Sequence, residues 1–119
     1  MESKQKRARE LALEILEEVF EEGAYSNIAL NKALKQSALS SADKSLVTEL
    51  VYGTVARKIS LEWQLAHFVE DRDKLDAWLY ILLELSLYQM LYLDKIPQHA
   101  VVNEAVEIAK GRKRGSEKY

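Results

Sequence analysis

Apolar residues recur at three- and four-residue spacing from the start of the chain, at Ala8, Leu11, Ala12, Ile15, Leu16, Val19 and Phe20, with Glu10, Glu14, Glu17, Glu18 and Glu21 between them. That period predicts an amphipathic helix. Gly23 is placed to end it, because glycine adopts the left-handed conformation without a Cβ clash. Ser26 is expected to cap a short second helix through Ile28, Leu30, Ala33 and Leu34, which gives way to a serine-rich linker from Ser37 to Ser41. Ser40 with Asp43 three residues on has the form of a capping box, and it opens a third helix whose apolar face is Leu46, Val47, Leu50, Val51 and Val55. Gly53 lies inside that helix at a cost of about 1 kcal/mol against alanine, which predicts a close approach by another helix.

Ser60 is expected to cap a fourth helix through Leu61, Trp63, Leu65 and Phe68, ending near the charged turn from Glu70 to Lys74. From Leu75 to Leu93 the apolar residues surround the whole helical circumference, so this fifth helix should be covered on most sides and form the core. Trp63, Trp78, Tyr80, Tyr88 and Tyr92 sit at helical spacing in apolar stretches, the usual pattern of core aromatics. Pro97 is placed to open a sixth helix carrying Val101, Val102, Ala105, Val106 and Ala109. With no stretch of alternating polarity and no internal repeat, the fold class is all-α.

Length and composition fit one globular domain: 119 residues, 48% hydrophobic, one proline and four glycines. The absence of cysteine excludes disulfide scaffolds, thiolate metal sites and cysteine nucleophiles, and makes the cytoplasm the natural compartment. The first residues are charged and show no signal peptide, and the apolar run from Ala77 to Leu93, interrupted by Glu84, Ser86 and Gln89, is too short for a membrane span.

The net charge of −2 hides a segregation. Lys4, Lys6, Arg7 and Arg9 at the start, and Lys110, Arg112, Lys113, Arg114 and Lys118 at the end, hold nine of the 17 bases against two acids, Glu2 and Glu117; residues 10–109 hold eight bases against 17 acids. If the termini fold close together, an acidic body would present one positive patch. Within the first helix the charges run against the dipole, bases first and glutamates last, each exposed charge costing about 0.3 to 1 kcal/mol. Bases beside open helix N–H groups attract phosphate, which accounts for the basic half, although an untuned solvated face is also consistent; the acidic half has no comparable account. Tyr119 beside the final basic cluster has the composition of a base-stacking nucleic-acid contact, and a charged linker to another domain fits the same residues. His67 and His99 lack a second ligand at metal spacing, and no nucleophile elbow, phosphate loop or dinucleotide fingerprint is present, so the chain reads as a binding module.

ELVYGTVARKISLEWQL (Glu49 to Leu65), LELSLYQMLYLDKIPQHAVVNEAVEIAK (Leu83 to Lys110) and the opening RARELALEIL (Arg7 to Leu16) resemble the NusB-like family of helical RNA-binding domains. The LVYG, LEW and SLYQMLYLDKIP segments are most similar to its RsmB, or Sun, branch: N-terminal domains of bacterial methyltransferases that act on cytosine C5 of small-subunit ribosomal RNA. The likeness runs from about Arg7 to Tyr119. It implies a bundle of about six helices in two packed three-helix groups, with RNA contacts at Lys4, Lys6, Arg7 and Arg9. The family's closing motif of serine, two residues, then an aromatic falls on Ser116 and Tyr119, where the sequence stops, so the last family helix is expected to be missing, leaving an apolar groove either exposed or covered by a second copy in a dimer. The resemblance further implies a fragment of a longer chain. Its catalytic cysteines and S-adenosylmethionine site would belong to a C-terminal domain, its partners being ribosomal RNA and that domain, with no membrane. An antitermination factor binding boxA-like RNA with a ribosomal protein, and a docking module without RNA contact, are the alternatives.

Overall fold

The computed structural model describes residues 4–117, with side chains placed from Lys6 to Lys113. Six α-helices follow in order: α1 (Lys4–Glu22), α2 (Ser26–Gln36), α3 (Ser41–Ala56), α4 (Lys58–Leu65), α5 (Ala77–Tyr92) and α6 (Gln98–Glu117), with one 3₁₀ turn at Arg72–Lys74. No strand occurs among the described residues, in keeping with the all-α expectation. The first three helices pack on one another, α4 and α6 pack on α5, and the two groups join where α1 and α3 meet α5. Leu13, Leu16, Val47, Leu50, Leu61 and Leu85 close the shared core.

Local chemistry sets the boundaries. Gly23 has φ +76°, and the Ala24 N–H reaches back to the Glu18 carbonyl at 3.0 Å, which ends α1 where the sequence placed its stop. The Ser40 side chain accepts from the Asp43 N–H and caps α3. Two predicted caps are displaced. Tyr25, not Ser26, is the N-cap of α2, and α4 already starts at Lys58, so Ser60 lies within the helix rather than before it. Pro97 accepts at its carbonyl from the Ala100 and Val101 N–H groups, the position in which a missing proline N–H costs nothing.

α5 is the enclosed helix that its uniformly apolar sequence predicts, and its polar interruptions are buried with it. Ser86 donates to the Leu82 carbonyl at 2.8 Å, and Gln89 donates to that of Leu85 at 3.1 Å. Trp63, expected in the core, is instead 68% exposed, because α4 is short and turns only Leu61 and Leu65 inward. Ile28 on α2 and Val102 and Val106 on α6 also face outward.

Gly53 does accommodate a close neighbour: a Cβ built there would meet the Tyr88 ring of α5, with Cε1 at 2.6 Å. Tyr88 is itself buried and stacked on Tyr92 with ring centres 5.5 Å apart, so the ring has little room to retreat. In an open helix Gly→Ala stabilises by about 1 kcal/mol. Here the sign reverses: Gly53→Ala is expected to destabilise by about 1 to 3 kcal/mol through overpacking, measured as a lower urea midpoint.

Candidate nucleic-acid interface

Arg9 and Glu104 form an ion pair between α1 and α6, and Arg112 of α6 forms a second with Glu17 of α1. Each pair joins residues 95 apart. The two helices therefore run parallel, and the pairs lie one above the other, eight residues or about 12 Å apart along the axes. This geometry explains the charge order in α1 that its own dipole disfavours. Its basic first turns lie beside the acidic part of α6 around Glu104, and its glutamates lie beside the basic end of α6.

The same register separates the two basic clusters. Lys113 stands level with residue 18 of α1, eleven residues or about 16 Å beyond Arg7. Among the described residues the bases do not gather into the single positive patch expected from adjacent termini: Lys6 and Arg7 lie toward one end of the α1–α6 pair, and Lys110 and Lys113 toward the other.

Nor are all the predicted RNA-binding residues available. Arg9 is only 2% exposed, with Nε donating to the Gln89 side chain of α5 at 2.6 Å and Nη1 to Glu104, so it is a structural cation rather than a phosphate ligand. A charge in so dry a place demands a carboxylate partner. Arg112 is half-buried against Glu17, with its guanidinium 5.5 Å from the centre of the Trp78 ring. Arg7, Lys110 and Lys113 are exposed and Lys6 is half-buried. The Lys4 and Arg114 side chains, and Lys118 and Tyr119 entirely, lie outside the described residues.

Beside Arg7 the surface changes sign. A groove of about 600 Å³ between α1 and α2 has Glu10, Glu14 and Glu18 along one wall. Burial pushes the Glu14 carboxyl up, Arg112 opposes that, and Glu10, Glu17 and Glu18 raise it further. Such a wall repels phosphate, so the basic face of α1 is confined to its first two turns.

A second electrostatic cluster lies across α4 and α5. Glu84 is fully buried, and Lys58 Nζ is 3.6 Å from its carboxylate while also pairing with Glu62 at 2.6 Å. Arg72 completes the chain, 3.6 Å from Glu62 and 4.2 Å over the Tyr80 ring. Burial pushes the Glu84 carboxyl up to about 7, against the opposing pull of Lys58. Among the described residues no group of His, Asp or Glu side chains is arranged to hold a metal ion, and no helix is long and apolar enough to cross a membrane.

The NusB family model matches residues 6–119. The chain is 47% identical to the probable ribosomal RNA small subunit methyltransferase B of Bacillus subtilis over 92% of its own length and 24% of the relative's. It is 39% identical to the protein of the same description from Synechocystis sp., over 87% and 23%. The transcription antitermination protein NusB of Bacillus velezensis is 31% identical over 90% of this chain and 81% of that protein. The chain thus spans about a quarter of the length of the methyltransferases it matches.

Two stability experiments test the electrostatic assignments. Arg9→Ala breaks the buried pair with Glu104 and the hydrogen bond to Gln89 and is expected to destabilise by about 3 to 5 kcal/mol, while Arg7→Ala stays within about 0.5 kcal/mol, read from chemical denaturation. For Glu84, the folded state keeps its proton up to about pH 7 while the unfolded chain releases it near 4.5. The folded state therefore binds more protons in that window, and the Glu84 contribution to stability falls as pH rises through it, by on the order of 3 kcal/mol. Glu84→Gln should lessen the loss of stability between pH 5 and pH 8; an equal loss in wild type and variant would assign the titration elsewhere.

Proposed function

The chain belongs to the NusB family, and on that premise we propose that it is an RNA-binding domain that helps position small-subunit ribosomal RNA for cytosine-C5 methylation by a separate catalytic domain. The observation that carries this reading is the 47% identity to a ribosomal RNA small subunit methyltransferase B across nearly the whole of this chain. The exposed cation Arg7 on the first turns of α1 gives it a physical basis. In this reading the chain is the N-terminal part of a longer cytoplasmic protein, its partners are ribosomal RNA and its own catalytic domain, and S-adenosylmethionine is held by that domain. This chain contains no cysteine, so the thiolate needed to add to cytosine C6 must come from the other domain.

Delivery requires modest affinity without a sequence code, and phosphate contacts provide it. Tethering then raises the local concentration of the target loop at the catalytic domain. Lys6 and Arg7, joined by Lys4, form the principal cationic face in this reading. Lys110 and Lys113 form a second contact toward the opposite end of the α1–α6 pair, and Arg114, Lys118 and Tyr119, which follow them in sequence, belong to the same proposed contact. A dimer has no support among the described residues and has no part in the proposal.

The match over 81% of a NusB antitermination protein favours a second reading, a factor that binds boxA-like RNA together with a ribosomal protein. A salt-series titration against a small-subunit rRNA hairpin and a boxA RNA separates the two. Delivery predicts tighter hairpin binding with a steep salt slope, and Lys6→Glu with Arg7→Glu should weaken it and lower the slope by about one for each phosphate no longer neutralised. A boxA preference would move the chain to antitermination, and binding to neither RNA would leave a protein docking module.

A further inference from the structure

The largest side chains exposed on α4 are not scattered. Ile59 is 85% exposed and Trp63, one turn on, is 68% exposed; both line a concavity of about 560 Å³ with Val55, Arg57 and Ser60. A tryptophan left largely in water on a well-packed domain marks a binding surface more often than a packing fault. This one is also held in place. The His67 ring meets it edge-on at 4.8 Å, and the His67 Nδ1–H donates to the Trp63 carbonyl at 3.1 Å, so the neighbouring ring is itself fixed from below.

The lip of the concavity is cationic. Lys58 is occupied, paired with Glu62 and Glu84 and placed 4.1 Å over the Phe20 ring. Arg57 has no ion pair among the described residues; it is exposed, and its guanidinium lies 3.9 Å over the Tyr92 ring. That stacking orients the guanidinium and leaves its charge unneutralised. A fixed indole face beside an oriented, unpaired guanidinium is the arrangement that takes a base on one and its phosphate on the other. An apolar protein surface would meet the indole equally well, but it would bury the Arg57 charge without a partner.

We propose that this concavity binds an unpaired nucleotide of RNA, its base stacked on Trp63 and its phosphate on Arg57. The proposal rests on the RNA-binding reading above and deepens it. The basic first turns of α1 contact phosphates alone, whereas the α4 site selects single-stranded over duplex RNA, because a paired base cannot present its face to the indole.

The test is fluorescence anisotropy with a labelled single-stranded RNA dodecamer and with the same sequence as a blunt duplex. Trp63→Ala, which removes an exposed side chain and should leave the thermal midpoint unchanged, is expected to weaken single-strand binding about tenfold or more and duplex binding little. Trp63→Phe retains most of the affinity, and Arg57→Gln lowers the salt slope by about one. Single-strand binding by Trp63→Ala within twofold of wild type overturns the site, as does equal weakening toward both RNAs. If that happens while Arg7→Glu still weakens binding, the RNA-binding reading stands without the α4 site. If wild type binds neither RNA, the reading itself fails and takes the site with it.

Discussion

A guanidinium enclosed by three helices determines how the ends of this chain come together. Removing Arg9 from water costs several kcal/mol, and only a carboxylate with good geometry offsets that. Glu104 on α6 supplies it, and Gln89 on α5 accepts from Nε while donating to the Leu85 carbonyl, so the α1 cation is tied to α6 by charge and to the α5 backbone through one amide. Once this contact sets the register, Glu17 and Arg112 fall opposite each other eight residues further along both helices. The charge gradient of α1 then makes sense as half of a pair. It opposes its own helix dipole, which costs a few tenths of a kcal/mol per exposed charge, and matches the gradient of α6, which includes a buried contact worth more.

That constraint reshapes the functional surface. Four bases at the start of the chain and five at its end read as nine phosphate contacts, yet two of the arginines, Arg9 and Arg112, hold the bundle together. The parallel register keeps Lys6 and Arg7 apart from Lys110 and Lys113 along the α1–α6 pair, and Glu10, Glu14 and Glu18 line the groove that α1 forms with α2. An RNA touching both clusters must span that interval, which suits a folded rRNA element better than a short single strand. Selectivity for unpaired bases then has to come from elsewhere on the surface, and the Trp63 face of α4 is where an aromatic platform and an unpaired guanidinium occur together.

Much of the architecture was legible because it follows from local rules. The period of α1, the left-handed Gly23, the Ser40 cap and the close approach at Gly53 each depend on a few neighbouring residues. What could not be read depends on partners distant in sequence. Helical spacing does set Arg9 apart from Arg7, since Ala12, Leu13 and Leu16, three, four and seven residues on, are all buried whereas Arg7 has Glu10 and Glu14 three and seven residues on, but the partner that this burial requires is 95 positions away. The signal for that partner was the polar residues of α5: a glutamine within an otherwise apolar, enclosed helix needs a buried partner, and Gln89 has one in Arg9. Trp63 was misplaced for a related reason. Helical spacing identifies a face, and only the shortness of α4 and its packing on α5 decide that Leu61 and Leu65 turn inward and Trp63 outward.

The central claim is that Arg9 is structural while its neighbours on the first turns of α1 meet RNA. The direct measurement is a two-dimensional NMR titration with an rRNA hairpin that follows the Arg9 Nε–H signal alongside the backbone amides of Lys6 and Arg7. The account predicts a slowly exchanging Arg9 Nε–H, fixed by Gln89, that stays in place while the Lys6 and Arg7 amides shift with RNA. An Arg9 signal that exchanges rapidly with water, or moves with RNA as far as those amides do, would contradict it.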